Sequence, residues 1–399
     1  MGAAVAGDSE ERAPARDLRL QRARRSVAVV FAVHGAVTGS FATRIPWIQG
    51  HLGLSTGQLG LALAAPAVGA SLAMPLASRI VHRYGERTAV GGLLVLWCLA
   101  LALPSLSPDL PVLCAALLVY GATAGMADVA MNAQGVGVEQ RLGRSIMSGL
   151  HGMWSVGGLV ASLIGALAAH YGVDARVHHA VMALLLAGIG LFAARGLLDV
   201  RPEPGEAAPP RFALPPRSAL AIGLVGFCAV FAEGAGSDWS GVYLRDVAGA
   251  SAGVAASAYT AFACTMAASR LAGDLLVRRL GAVRTVRWMG VASVLGGLLV
   301  ALGRGQIPAI AGFALIGVGI AVVVPLAFAA AGKSGPNPSQ AIAGIATISY
   351  TSGLVAPAVI GAIAQATSLP VSFGLVTLLL LIGLVGCAGA LRAADARRD

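Results

Sequence analysis

Apolar runs of about 20 residues recur along this chain from one end to the other, each long enough to cross a hydrocarbon core of roughly 30 Å as a helix. No other feature constrains the fold as tightly. In lipid every backbone N–H and C=O must be satisfied internally, which leaves helices or closed barrels. These runs are too long and too continuously apolar for barrel strands. Of 399 residues, 57% are hydrophobic and only 12% charged, with a mean hydropathy of +0.80, against about a quarter charged in a soluble chain. Twelve spans are expected, at 26–48, 56–79, 88–105, 110–137, 146–169, 178–196, 218–243, 252–277, 284–303, 307–331, 341–366 and 370–391. The expected fold class is an all-α membrane protein of twelve transmembrane helices.

The net charge of +10 follows this topology. An even number of spans puts both ends on one side, and 23 of the 28 Lys and Arg residues fall there. They include the arginines of residues 1–25, Arg79, Arg83 and Arg87, Arg141 and Arg144, Arg278, Arg279, Arg284 and Arg287. The opposite side holds Arg176, Arg245 and Arg304; Arg44 and Arg270 lie within spans. This positive-inside bias places both termini in the cytoplasm and excludes nucleic acid as a partner, because the basic residues form no single patch. Residues 1–25 are polar, lack the apolar core of a cleavable signal, and are expected to be a cytoplasmic tail; residues 392–399 form the second tail. Cys98, Cys114, Cys228, Cys264 and Cys387 sit singly in apolar spans, as small packing residues do. The preference for Arg over Lys and the abundance of Ala and Gly suggest a GC-rich bacterial genome, hence a bacterial plasma (inner) membrane.

The chain repeats itself at an offset of 196 residues. Gly53-Leu54-Ser55-Thr56-Gly57 matches Gly249-Ala250-Ser251-Ala252-Gly253, and His82-Arg83-Tyr84-Gly85 matches Arg278-Arg279-Leu280-Gly281. Gly121 falls on Gly317, and Trp154, Gly157 and Gly165 fall on Tyr350, Gly353 and Gly361. An offset constant over five helices implies two parallel six-span halves, 26–196 and 218–391. They are joined by a polar, Pro-rich cytoplasmic linker at 197–217. In transporters built this way the substrate site lies between the halves near the bilayer midplane, and rocking of the halves gives alternating access.

The loops SRIVHRYGER and SRLAGDLLVRRLGAVR resemble the signature of the major facilitator superfamily, and the likeness covers essentially the whole chain. RIPWI…LGLS, DVAMNAQ and EGAGSDWSGVYL more narrowly resemble its fucose-permease-like branch. Where the signature usually has an acidic residue before the arginine, this chain has His82 and Arg278, with Asp274 one turn earlier in the second half. The resemblance implies a secondary transporter, and for the narrower branch a proton-coupled sugar or sugar-like substrate. An exporter of amphipathic drugs or metabolites, and a non-transporting receptor on the same fold, are the alternatives.

Several polar residues inside the spans then carry expectations. Asp128 is a carboxylate at membrane depth, which costs about 3 kcal/mol or more unless it meets a partner or a wet cavity. Asn132 lies one turn on. The resemblance implies a proton-coupling carboxylate in this fourth span; a structural pair with Asn132 or His151 is the plainer alternative. Glu233 lies at mid-depth of the seventh span, where Gly234 and Gly236 favour a bent, cavity-lining helix. His34, Trp154, Tyr350, Thr347 and Tyr259 complete the expected substrate and coupling cavity: aromatic rings suit a sugar face, hydroxyls suit its polar groups, and a buried His either titrates or is simply hydrogen-bonded. Arg44 either snorkels outward as an anchor or pairs with Asp238 or Glu233 of the opposite half, forming an outer gate with Trp239 and an aromatic rim that includes Tyr243. Arg83, Gly85, Arg270, Asp274, Arg279 and Gly281 form an expected cytoplasmic gate in which Arg270 or Arg279 pairs with Asp274; the alternative is topology determination by charge alone.

GLSTG and GASAG match the G-x-S-x-G nucleophile pattern, which needs a strand before it, a helix after it, and His and Asp partners. Both copies sit in turns opening membrane helices, and Ser55 with Gln58 reads as a capping box. No phosphate-binding loop, zinc-ligand spacing or haem ligand pair occurs. No cofactor or metal is expected and the chain is not read as an enzyme. The expected partners are a small-molecule substrate, a proton or other cation, and the lipid bilayer, with the protein a monomer.

Overall fold

The computed structural model describes residues 12–143, 146–199, 220–332 and 338–394. The side chains of a few helical residues, among them Asp274 and Tyr350, lie outside that description, as does most of the linker. Among the described residues there are helices and turns but no strand. The first half comprises α1 (Arg12–Ala42), α2 (Ile45–Leu52), α3 (Thr56–Tyr84), α4 (Glu86–Ala100), the short α5 (Leu103–Leu106), α6 (Leu110–Leu142), α7 (Met147–His170) and α8 (Ala175–Ala194). The second comprises α9 (Leu220–Asp246), α10 (Ala252–Leu280), α11 (Ala282–Leu302), α12 (Gln306–Ile320), α13 (Val323–Gly332), α14 (Pro338–Ala366) and α15 (Leu369–Leu380), which continues through a π turn and a 3₁₀ segment to Ala394.

Eleven of these stretches are long and apolar enough to span a membrane. The remaining expected span, the eighth (α10), is 29 residues long but is diluted by Ser257, Thr260, Thr265, Ser269 and Arg270. Three departures from the expected boundaries have local causes. Helix α1 already begins at Arg12, inside the expected tail, where Arg, Leu and Gln favour helix. The first span breaks at Thr43-Arg44 because Pro46 at the start of α2 has no N–H to continue the ladder. The tenth breaks between α12 and α13, ahead of Pro325.

The repeat is visible in the backbone. Gly53 and Gly249 turn with φ of 62° and 61°. Gly85 and Gly281 link their helices with φ, ψ of 79°, 154° and 84°, 162°, positive-φ conformations that glycine adopts without strain. Ser55 and Gln58 form the expected capping box.

Buried apolar side chains of both halves form one continuous core, while Leu184, Phe192, Leu302 and Ile307 are exposed on the outer surface, as lipid-facing residues are. The halves meet along two seams, α3 against α14 and α7 against α10. At the first seam a Cβ added to Gly60 would lie 2.9 Å from Gly361 Cα, and one added to Gly361 would lie 2.8 Å from Gly60 Cα; only glycine allows this approach. Nearer the helix ends, Gly57 rests on Gln365 and Gly253 on His170. These two contacts are nearly related by the 196-residue offset, as expected for seams exchanged by a pseudo-two-fold axis.

Candidate functional site

All these seam contacts lie toward the end of the bundle that carries the α2–α3 and α9–α10 turns. Toward the opposite end, where α1 begins and the segment ending at Ala394 stops, a Cβ on Gly149 or Gly152 of α7, or on Gly353 of α14, would meet nothing within 4 Å among the described residues. The halves therefore touch at one end and splay at the other.

Between them lies a small cleft, of about 50 Å³, that opens to the surroundings. Thr38 of α1 with Trp154 and Ser155 of α7 line one wall; Glu233 of α9 with Tyr259 and Arg270 of α10 line the other. Arg270 Nη2 sits 3.2 Å from Glu233 Oε1, and both side chains are about 30% exposed. Arg270 Nε also donates to the Ala321 carbonyl at 3.4 Å. An ion pair inside a membrane bundle is costly to keep unless its partners neutralise each other and reach water; this one meets both conditions.

Helix α9 is continuous across Gly234 and Gly236, so the helix is not broken there. Gly236 instead makes room for the Phe262 ring, which would lie 2.6 Å from an added Cβ. Ser237 Oγ donates to the Glu233 carbonyl at 2.7 Å.

Trp154 is fixed from behind. Its indole Nε1–H donates to His34 Nδ1 at 3.0 Å. Nδ1 must then be the acceptor, which puts the imidazole proton on Nε2, 3.4 Å from the Ala124 carbonyl. His34 is buried and stacks on Trp97 at 5.3 Å. His34, expected in the cavity, is not part of the cleft wall: its Nδ1 holds the Trp154 indole and its Nε2 is turned to the Ala124 carbonyl.

Asp128, half-buried on α6, accepts from Asn132 Nδ2 at 3.1 Å, and the same amide donates to the Asp128 carbonyl at 2.9 Å. Its charge reaches His34 and His151, but it is not part of the cleft wall. Thr347 accepts from Thr351 Oγ1 through its carbonyl at 2.7 Å and likewise stands outside that wall. The side chain of Tyr350 lies outside the described residues.

The expected outer gate is not assembled as expected. Arg44, 2% exposed at the break after α1, donates to the Val173 carbonyl of its own half; no ion pair joins it to Asp238 or Glu233 among the described residues. Trp239 and Tyr243 form no rim. Both are fully buried, and Tyr243 donates to the Val300 carbonyl and packs edge-on against Phe313 and Phe373. The apolar core of the second half claims both rings.

A further cross-seam contact at this end comes from Arg245, expected from the sequence only to mark topology. Its Nη2 donates to Gln49 Oε1 at 2.9 Å and its Nη1 to the Pro46 carbonyl, while its Nε holds Asp246 at 2.7 Å. Residue 245 less 196 is 49, so Arg245 and Gln49 are repeat equivalents. Side chains near a two-fold axis meet their own counterparts, which is the signal that could have found this pair.

At the splayed end, Arg83 and Arg279 are exposed, Arg83 lying 5.5 Å from the Tyr84 ring centroid. Gly85 and Gly281 make the two tight turns described above. Arg270, expected to pair with Asp274, is held by Glu233 deeper in the cleft; the Asp274 side chain lies outside the described residues.

The family model of the Major Facilitator Superfamily matches residues 27–353. An uncharacterised MFS-type transporter of Yersinia pestis is 37% identical over 359 residues, covering 89% of this chain and 92% of that protein. Among solved structures, a variant of the nucleoside transporter NupG superposes with a TM-score of 0.73 at 13% identity, over 92% of this chain and 99% of the other. The transporter FucP in its outward conformation superposes with a TM-score of 0.61 at 16% identity, over 92% and 98%.

Proposed function

The chain belongs to the major facilitator superfamily, and from that premise we propose that it carries a small hydroxylated solute, a sugar or sugar-like ring, through the central cleft by alternating access coupled to protons. The observation that carries this reading is the Glu233–Arg270 pair, exposed to a cleft walled by both halves. Trp154 and Tyr259 offer aromatic faces to a ring, and Thr38, Ser155 and Ser237 offer hydroxyls. Rocking of the halves exposes the cleft to each side in turn.

The charge bias puts the termini in the cytoplasm of a bacterial plasma membrane. The splayed end is then the inner mouth, the Arg245 contact closes the outer one, and the form described is inward-open. Protonation of Glu233 would release Arg270 to bind solute or to move with it. Asp128, tied to Asn132 beside His34 and His151, is the coupling carboxylate of the first half.

The test uses purified protein in liposomes loaded with a pH-sensitive dye and challenged with sugars, sugar acids and cationic drugs. Solute-driven proton movement that is lost in Glu233→Gln or Asp128→Asn supports coupled transport. Solute counterflow without proton movement, the same in all three proteins, rejects proton coupling. Flux of cationic drugs alone would favour the exporter.

A further inference from the structure

A second cavity, of about 350 Å³ and open to the surroundings, lies between the halves at the closed end. A volume of this order holds a small organic ligand. The break after α1 supplies Arg44 to its wall, α2 supplies Trp47 and His51, the turn after α7 supplies Val173, and the second half contributes Arg245 and Ala252. Two guanidiniums from opposite halves thus share one wall, and no carboxylate stands in it. Arg245 Nη1 donates to the carbonyl of Pro46, two residues along the chain from Arg44.

Arg44 has no counter-charge to explain its burial. It is 2% exposed, its Nη2 donates to the Val173 carbonyl, and its Nε has no partner. No carboxylate lies within ion-pair distance of it among the described residues. A carbonyl offers only a dipole, which does not repay the desolvation of a full charge. The carboxylates of this end are engaged elsewhere. Asp246 holds Arg245 Nε at 2.7 Å, and Asp174 Oδ1 accepts from the Arg176 backbone N–H at 2.8 Å, at the start of α8. Arg176 lies 5.6 Å from the Trp47 ring centroid and donates to His51 Nε2, and His51 stacks on Trp47 at 4.5 Å. As the acceptor of that bond the imidazole is neutral. Three guanidiniums, Arg44, Arg176 and Arg245, against two carboxylates, Asp174 and Asp246, leave one surplus positive charge around the cavity.

A single negative charge completes this arrangement. Arg245 has already given its Nε to Asp246, one Nη1 proton to Pro46 and one Nη2 proton to Gln49, so few donors remain free. A carboxylate, with two acceptor oxygens, asks for fewer of them than a phosphate does. Trp47, Pro46 and Val173 offer its apolar body a surface. We propose that this outer vestibule is a binding site for a small organic carboxylate, with the charge between Arg44 and Arg245 and the apolar body against Trp47. The site is separate from the central cleft and does not depend on what that cleft carries. Because its two arginines come from different halves, it is complete only while the outer mouth is closed.

The experiment titrates the purified full-length protein in detergent with cyclohexanecarboxylate, its uncharged amide and inorganic phosphate, and follows tryptophan emission, to which Trp47 in the cavity wall contributes. The expected result is saturable binding of the carboxylate at least about tenfold tighter than of the amide, as one desolvated charge pair gives. In Arg44→Gln that preference falls to within about twofold. Ala252→Glu gives the same loss with Arg44 intact, since it sets a carboxylate in the wall at an exposed position, where an acid in the first turn of α10 also favours the helix. Arg270→Gln keeps the preference, because Arg270 lines the central cleft. Equal binding of carboxylate and amide by the wild type, or saturable binding of neither, overturns the proposal without any variant. A preference that survives either wall variant, in protein shown to be folded by its melting temperature, also overturns it. So does a preference that Arg270→Gln removes, which would place the anion in the central cleft. Phosphate bound as tightly as the carboxylate overturns the carboxylate assignment and favours a phosphate ligand instead.

Discussion

Arg245→Ala should open the closed end of the bundle, and the size of the effect can be worked from its contacts. The guanidinium makes two hydrogen bonds across the seam, to Gln49 Oε1 and the Pro46 carbonyl. Its third bond, to neighbouring Asp246, is local and is present whether the seam is open or closed, so it cancels. Hydrogen bonds involving a charged group contribute about 1.5–3 kcal/mol each when shielded. The side chain is 27% exposed, and water replaces part of what is lost, so roughly 1–2 kcal/mol in total is expected to favour the closed seam. That corresponds to about a tenfold rise in the population open at this end. The assay is double electron–electron resonance between spin labels at Tyr171→Cys and Val247→Cys, exposed positions on opposite halves at the closed end, in protein whose native cysteines are replaced. If the open population is about 1% in the parent, the variant should show about 10% at longer distance, and Arg245→Lys should fall between because it lacks the planar fork. An unchanged distance distribution in Arg245→Ala would refute the latch and leave the seam held by packing and the Gln365 hydrogen bonds.

Gly60→Val places a Cβ 2.9 Å from Gly361 Cα, so the seam must part by about 1 Å at a cost of about 1–3 kcal/mol. Transport should fall while the melting temperature, set by the buried apolar core, moves little; a melting temperature that collapses with transport would count against a seam effect. Tyr243→Phe removes a donor to the Val300 carbonyl inside the second half's core and should lower stability by about 1 kcal/mol without altering KM. A raised KM would return Tyr243 to the solute path. His34→Ala leaves the Trp154 N–H without its acceptor and should raise KM more than it lowers kcat, because a wall of the cleft loosens; an unchanged KM in folded protein would show that the indole is held by packing.

The architecture was legible because lipid permits so few solutions. Apolar length alone gave the helices, and the constant offset gave two halves whose turns at Gly53 and Gly249, and at Gly85 and Gly281, repeat in conformation. Boundaries slipped where proline overrode hydropathy, as at Pro46 and Pro325. Site residues were legible by type but not by direction. Glu233, Tyr259 and Trp154 stand in the cleft wall. His34, at equally suitable depth, faces the back of Trp154, and Trp239 and Tyr243 turn into the core, because rotation about a helix axis is set by packing that a single sequence does not display. Arg44 and Arg245 exchanged roles for a similar reason. The break before Pro46 turns Arg44 toward Val173, whereas Arg245, at the end of an unbroken helix, can reach across.

The repeat also separates scaffold from chemistry. Positions that set helix contacts recur at the offset: Gly57 with Gly253, Gly85 with Gly281, Gly165 with Gly361. The charged and titratable positions inside the spans do not, unlike Arg83 and Arg279 at the helix ends. Glu233 falls on Val37, Arg270 on Met74, Asp238 on Ala42, Asp128 on Val324 and His34 on Val230. Two halves that rock about a common axis need matching seams, because each seam must close against the same kind of surface. A solute with distinct ends, and an ion that binds beside it, need the opposite: a cleft whose two walls differ. With the Glu233–Arg270 pair on one wall and Trp154, held from behind by His34, on the other, the two walls of the cleft differ in charge across the axis.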